Sequence, residues 1–224
     1  KKKKKSIAGF GASGDSAIPA GGYASTAKSE TESWNGTNWT EVNDLNRATS
    51  NAVGIGIATS GLAAGRADPS VTAQTETWNG TNWTNVNDMN TSRSGGGGSG
   101  ANNTAAVVFG GYPSTANTEL WNGTNWTEVN NLNTARTSLS SAGNSDSAAL
   151  GFGGSTPPGV QAITENWNGS GWTEVADLNT ARTQGAGTGT NTNALAFGGE
   201  APPNTTATEE WSGSSTLTKT ISTD

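Results

Sequence analysis

The sequence predicts an all-β protein built as a five-bladed β-propeller of four-stranded antiparallel blades. The first observation behind this is a nine-residue string, WNGTNWTEV, at residues 34–42 and again at 121–129, with WNGTNWTNV at 78–86 and WNGSGWTEV at 167–175. The second is the period. The first tryptophan of each unit, Trp34, Trp78, Trp121, Trp167 and Trp211, recurs at intervals of 44, 43, 46 and 44 residues, so five units fill the chain. The third is that each unit carries strand and turn signals throughout and no helical period. Sheets of this size cannot bury both faces alone, so neighbours must stack, and a ring of blades is the usual solution for antiparallel units of this length.

Each unit opens on a stretch of tiny side chains: SIAGFGA, SNAVGIGI, GGGGSGA, SLSSAG and QGAGTG. These fit a strand beside a crowded axis, and the narrow centre of a five-blade ring calls for such residues. An apolar run closing on a glycine pair follows, as in AAVVFGG (105–111) and ALAFGG (194–199), with GLAAGR (61–66) as a degraded copy. Next come a variable loop, then Thr-Glu-x-Trp, then an Asn-Gly turn, whose residues accept positive φ at low cost. Whether that turn spans two residues or four, period-2 alternation places Trp34, Trp39, Glu32 and Glu41 on one face of the hairpin. Trp83, Trp126 and Trp172 repeat the second indole, and paired indoles supply core that the chain otherwise lacks. A tail like DLNTAR closes each of the first four units, and the fifth has none.

The blades are expected at about 6–48, 49–93, 94–136, 137–182 and 183–224. They follow Lys1–Lys5, a basic tail or sequence scar to which no function is attached. The tails place Arg93, Arg136 and Arg182 17 or 18 residues before the next glycine pair ends, and counting 17 back from Gly22 reaches Lys5. In the last unit Thr216 replaces the second tryptophan, as in an atypical terminal repeat. Blades of contiguous sequence are expected, with the ring closed by packing of blade five on blade one.

Composition excludes several chemistries. Leu, Ile, Val and Phe number 28 of 224 residues, against nine Trp and 32 Gly. With no Cys and no His, thiol chemistry, disulfides and the commonest general base and metal ligand are unavailable. Setting the five lysines aside leaves seven positive charges against 18 negative, −11, a surface that repels phosphate backbones, so no nucleic-acid partner is expected. A membrane-spanning apolar run and a signal-peptide pattern are both missing, and a soluble protein without membrane insertion is expected.

An apolar strand ending in Gly-Gly, a variable loop, an aromatic, a short turn and a tryptophan a few residues later resemble the kelch motif. The likeness covers about residues 6–221, departing from it where Trp stands for the common Tyr and in the short Asn-Gly-Thr-Asn turn. The WNGTNWTEV…LNTAR units resemble kelch-like repeat proteins of marine bacteriophages and some marine bacteria. The resemblance implies a virion or extracellular surface location, with a surface glycan or a neighbouring virion or surface protein as partner and assembly into a larger particle or homo-oligomer. Galactose oxidase is similar in its kelch repeats, but its copper site needs His and Cys, and this sequence has neither.

Among chemical candidates, Glu32, Glu76, Glu119, Glu165 and Glu209 form a repeated set of carboxylates. Fivefold repetition gives similar environments, whereas acid and base roles need different ones, so hydrogen bonding, to the recurring arginine for instance, is the expected role. Asp44, Asp88, Asn131 and Asp177 lack calcium-loop spacing and are expected to cap turns. Asn-x-Thr/Ser triplets at Asn35, Asn38, Asn79, Asn82, Asn122, Asn125 and Asn168 arise inside the repeated turn. Function is expected where the repeats disagree, in the variable loops. There Tyr23 and Tyr112, each directly after a glycine pair, are candidates to stack on a sugar ring, with Arg66, Asp68 and Glu200 as further ligand-binding candidates. A non-catalytic binder without cofactor or metal is the reading preferred, and the alternative is a polysaccharide hydrolase or lyase using Glu30, Asp68 or Glu200.

Overall fold

The computed structural model describes residues 4–67, 69–157, 159–201 and 204–213, and the backbone of Lys219–Ile221. Its strands form five four-stranded antiparallel meanders arranged as a five-bladed β-propeller. From axis to rim, blade one comprises Ala8–Ser13, Ser16–Ala20, Thr31–Trp34 and Trp39–Val42, and blade two Val53–Ile57, Ser60–Arg66, Thr72–Trp78 and Trp83–Asn85. Blade three comprises Gly97–Asn102, Ala105–Phe109, Thr118–Trp121 and Trp126–Val129, and blade four Ser140–Ser145, Ala148–Phe152, Thr164–Trp167 and Trp172–Val175. Blade five comprises Ala186–Gly189, Asn193–Phe197, Thr208–Ser212 and Lys219–Ile221.

The inner strands are the stretches of tiny residues, and close approach explains the choice. A Cβ added at Gly54 would lie 2.6 Å from the backbone nitrogen of Gly9 in the preceding blade. Together the five strands line a channel of about 700 Å³.

The repeated turn spans four residues. Asn122 Oδ1 accepts from the backbone N–H groups of Thr124 (2.9 Å) and Asn125 (2.8 Å), and Gly123 takes φ +91°. Trp121 therefore lies directly opposite Trp126, as Trp34 lies opposite Trp39. The two indoles have different bonding roles. The first donates to its own blade's inner hairpin, as from Trp121 Nε1 to the Asn103 carbonyl at 2.9 Å. The second reaches back one blade: Trp83 donates to Thr31 Oγ1 (3.1 Å), Trp126 to Thr75 (3.2 Å) and Trp172 to Thr118 (3.0 Å). These second indoles also cover apolar residues of the preceding blade, with Phe109 meeting Trp172 edge-on at 4.6 Å. At ~25 cal/mol per Å², the roughly 150–250 Å² an indole removes from water contributes about 4–6 kcal/mol.

Three of the five repeated carboxylates, Glu119, Glu165 and Glu209, are held in an inter-blade latch. Arg93 Nη2 donates to Glu119 at 2.6 Å and Arg136 Nη2 to Glu165 at 2.9 Å, all four side chains being fully buried, and Arg182 does the same to Glu209. Each arginine comes from the tail of one blade and each glutamate from the third strand of the next. Fivefold sameness does not hold, however. Thr49 occupies the arginine position before blade two, and Glu76 there accepts from the Asn46 N–H (2.9 Å) and Nδ2 (2.8 Å). The basic residue in register at blade one is Lys4 and not Lys5, because Lys5 bridges Tyr23 as Ser94 bridges Tyr112; Lys4 Nζ lies 3.3 Å from Glu30. Asp44, Asn131 and Asp177 accept from the backbone N–H groups of Thr31, Thr118 and Thr164 at the start of the third strand, so they clasp the open end of the outer hairpin instead of capping a turn.

Closure differs from expectation. Inner strands of successive blades pack together from blade one through blade five, but the first and last inner strands do not pack on one another comparably. Trp39 is 49% exposed, against 6–8% for Trp83, Trp126 and Trp172, and Phe197 is 40% exposed, against 0% for Phe109 and 3% for Phe152. The faces that blades five and one turn toward each other are thus left open, a seam in the ring.

Candidate functional site

The variable loops leave the ring at a common point. The residue after each glycine pair makes a two-way backbone bridge with the residue that leads into the inner strand. Tyr23 bridges Lys5, Tyr112 bridges Ser94, Ser155 bridges Thr137 and Glu200 bridges Thr183. Three candidates thus stand at one repeat position in blades one, three and five, on the loop-bearing face. In sequence the shared position after a glycine pair linked the two tyrosines, and Glu200 was a candidate on its charge alone. Tyr112 is 60% exposed, Tyr23 is 36% exposed, and Glu200 is exposed. Lys5 places its ammonium 5.9 Å from the centroid of the Tyr23 ring, so that ring is already partly engaged.

Arg66 belongs elsewhere. It sits in the position of the second glycine of the pair, its Nη1 donates to the Ala48 carbonyl at 3.1 Å, and its Nε is buried without a partner. This makes it a packing element of the first inter-blade interface. Asp68 lies outside the described residues, as does Thr216. Among the loop carboxylates Glu30 has its pKa lowered: burial works against this, and the Lys4 ammonium brings it about.

Next to Tyr112 is a concavity of about 720 Å³ at the loop-side mouth of the channel, with Asn51, Ser94, Ser138 and Gln184 among its lining residues. Its rim has a backbone origin that sequence reading missed. Ser6, Asn51, Ser138 and Gln184 all take φ between +51° and +56°, and Gly95 takes +60° at the equivalent place. Such φ values are uncommon for residues with a side chain. Here the conformation turns each N–H toward the preceding blade: Asn51 N donates to the Ser6 carbonyl, Gly95 N to Asn51, Ser138 N to Gly95 and Gln184 N to Ser138, at 2.8–3.0 Å. One consequence is that polar side chains ring the mouth. A sequence signal existed in the polar or glycine residue just before each small-residue strand, but its φ could not be read from residue type.

The site is therefore an open basin of mixed polarity, Ile7, Val71 and Leu139 lying among its polar side chains, with an exposed phenol in its lining, suited to a hydroxyl-rich ligand that offers both hydrogen bonds and a C–H face. Among the described residues no group of three or more His, Cys, Asp or Glu side chains is placed to hold a metal ion. Comparison of the sequence with protein-family models and with curated proteins finds no match.

Proposed function

We propose that the chain is a non-catalytic binding or structural module, a virion component such as a tail fibre or decoration protein, or a cell-surface adhesin, whose loop-bearing face recognises a glycan or a partner protein. The observation that carries this is Tyr112, 60% exposed in the lining of the basin, with Tyr23 at the same repeat position. Support also comes from the carboxylates. Glu119, Glu165 and Glu209 are occupied in buried latches, which leaves them poor acids or bases for a substrate. The likeness of the WNGTNWTEV units to kelch-like repeats of marine bacteriophages favours a virion or extracellular surface location.

The test is a panel of algal and bacterial polysaccharides scored for retention of the protein and for release of reducing ends. Retention without release is expected. Tyr112→Ala should weaken retention about tenfold, the upper end of what one ring contact contributes. Reducing-end release that disappears in Glu200→Gln or Glu30→Gln would overturn the reading in favour of an enzyme.

A further inference from the structure

The seam between blades five and one exposes two halves of an interface that the molecule builds four times elsewhere. In each formed interface the leading blade presents a second-strand apolar pair, and where the following blade carries a second indole that indole covers it. Ile18 and Ala20 meet Trp83, Leu62 and Ala64 meet Trp126, and Val107 and Phe109 meet Trp172, all in shared cores. In blade five the corresponding pair is Leu195 and Phe197, with Leu195 partly exposed and Phe197 40% exposed. In blade one the corresponding indole is Trp39, 49% exposed, beside Ile7 and Pro19 at the edge of an open cleft of about 690 Å³. That cleft is lined by blade-one residues alone.

The backbone agrees with the side chains. The blade-to-blade hydrogen bonds through Ser6, Asn51, Gly95, Ser138 and Gln184 end at Ser6 and Gln184, which are not bonded to each other. Thr208, which stands where Thr31, Thr75 and Thr118 accept an indole N–H, is partly exposed.

We propose that this seam is a head-to-tail docking interface for a second copy of the chain, blade five of one copy seating on Trp39 of the next. The occupant follows from continuity with the four internal interfaces: the chain itself carries both complementary surfaces, and each is a near copy of one already shown to fit. Closure within one chain is disfavoured by rigidity. The internal step is held by tightly packed inner strands and by three fully or almost fully buried Arg–Glu latches, so drawing blade five onto blade one would spread those interfaces apart. Docking in trans leaves them unchanged. The contact is heterologous, because the two surfaces differ, and such contacts propagate unless the rotation closes.

Heterologous contacts make a sharp test possible by sedimentation velocity on the 224-residue chain. The wild type should show association that grows with concentration. Trp39→Glu and Phe197→Glu should each sediment as monomers, since each has lost one half of the contact. An equimolar mixture should form a 1:1 pair and nothing larger, because each variant retains the half the other lacks. That recovery also excludes misfolding of either variant as the cause of the loss. A wild type that is monomeric at every concentration would overturn the proposal. So would association that survives both substitutions, or variants that fail to complement each other.

Discussion

Replacing Arg136 with methionine tests whether the blades are held in step by a buried ion pair. Arg136 Nη1 donates to the carbonyls of Gly153 (2.8 Å) and Ile163 (2.6 Å), and Nη2 donates to Glu165 at 2.9 Å. Arg136→Met leaves the fully buried Glu165 carboxylate with the Asn133 N–H at 2.7 Å, Asn133 Nδ2 at 2.8 Å and the more distant Thr134 N–H. A buried charge stripped of its counter-ion costs about 3–5 kcal/mol. At about 2–4 °C per kcal/mol for a chain of this size, the melting midpoint should fall by roughly 6–20 °C. The pair as a whole is worth much less than either half. Burial lowers the Arg136 pKa below the ordinary arginine value even though Glu165, Asp177 and Glu174 pull it up, so desolvation outweighs attraction. Arg136→Met/Glu165→Leu should therefore recover most of the loss, with a coupling energy on the order of 2–4 kcal/mol in a urea-unfolding double-mutant cycle. A single-variant loss below ~1 kcal/mol, or additive effects, would refute the latch.

The first interface, where the latch arginine is naturally replaced, should respond in the opposite direction. Thr49, Gly65, Gln74 and Glu76 border a void of about 20 Å³, and Thr49 Oγ1, Gln74 Oε1 and Arg66 Nε are buried without partners. Thr49→Arg combined with Arg66→Gly should place a guanidinium against Glu76 and raise stability by about 0.5–2 kcal/mol in urea titration; a loss would show that this interface has a different design. Gly123→Val should lower stability by about 1–3 kcal/mol, since valine resists φ +91° and its Cβ would press on Thr104 at 3.3 Å, and an unchanged melting midpoint would contradict the turn geometry. Amide exchange should be slowest in the inner strands of blades two to four and faster in Ala8–Ser13 and Ala186–Gly189, which flank the seam. Uniform protection would mean that the ring is closed in solution.

Period and residue size together made most of the fold legible. The intervals between Trp34, Trp78, Trp121, Trp167 and Trp211 gave the number of blades, and runs such as GGGGSGA gave the inner strands, because little but hydrogen and methyl fits beside the axis. Repetition made a structural reading of the glutamate set possible, but not that Glu119, Glu165 and Glu209 share the arginine latch while Glu76 pairs with Asn46. Exceptions were harder. Reading Thr49 as the missing latch required register, and the 17-residue count that pointed to Lys5 was one residue off for the same reason: hairpins of slightly different length precede each glycine pair. For the site, Tyr23, Tyr112 and Glu200 were visible as departures from the repeat, and the bridges with Lys5, Ser94 and Thr183 bring them to one face. Arg66 stands in sequence where the other copies have the second glycine of the pair, and its contact with the Ala48 carbonyl could not be read from that position. Closure was not legible at all, because it depends on the angle between blades, a sum of small packing differences that no residue encodes alone.

That angle links the stability of the ring to what it does at the seam. Apolar contact between blades is non-directional and would tolerate a range of tilts. The second indole removes that freedom: Trp126 must donate to Thr75 Oγ1 while its ring covers Leu62 and Ala64, and Arg93 must reach Glu119, Asn117 and Gly110 at once. Polar geometry thus fixes the step, while apolar burial supplies the free energy. A chain poor in aliphatics needs both, because its blades cannot stand singly and loosely stacked blades would expose the indoles. The same constraint makes each face specific for its neighbour's face. Wherever one face ends without a neighbour, as at Trp39 and at Phe197, the molecule retains a surface already selected to recognise another blade of its own kind.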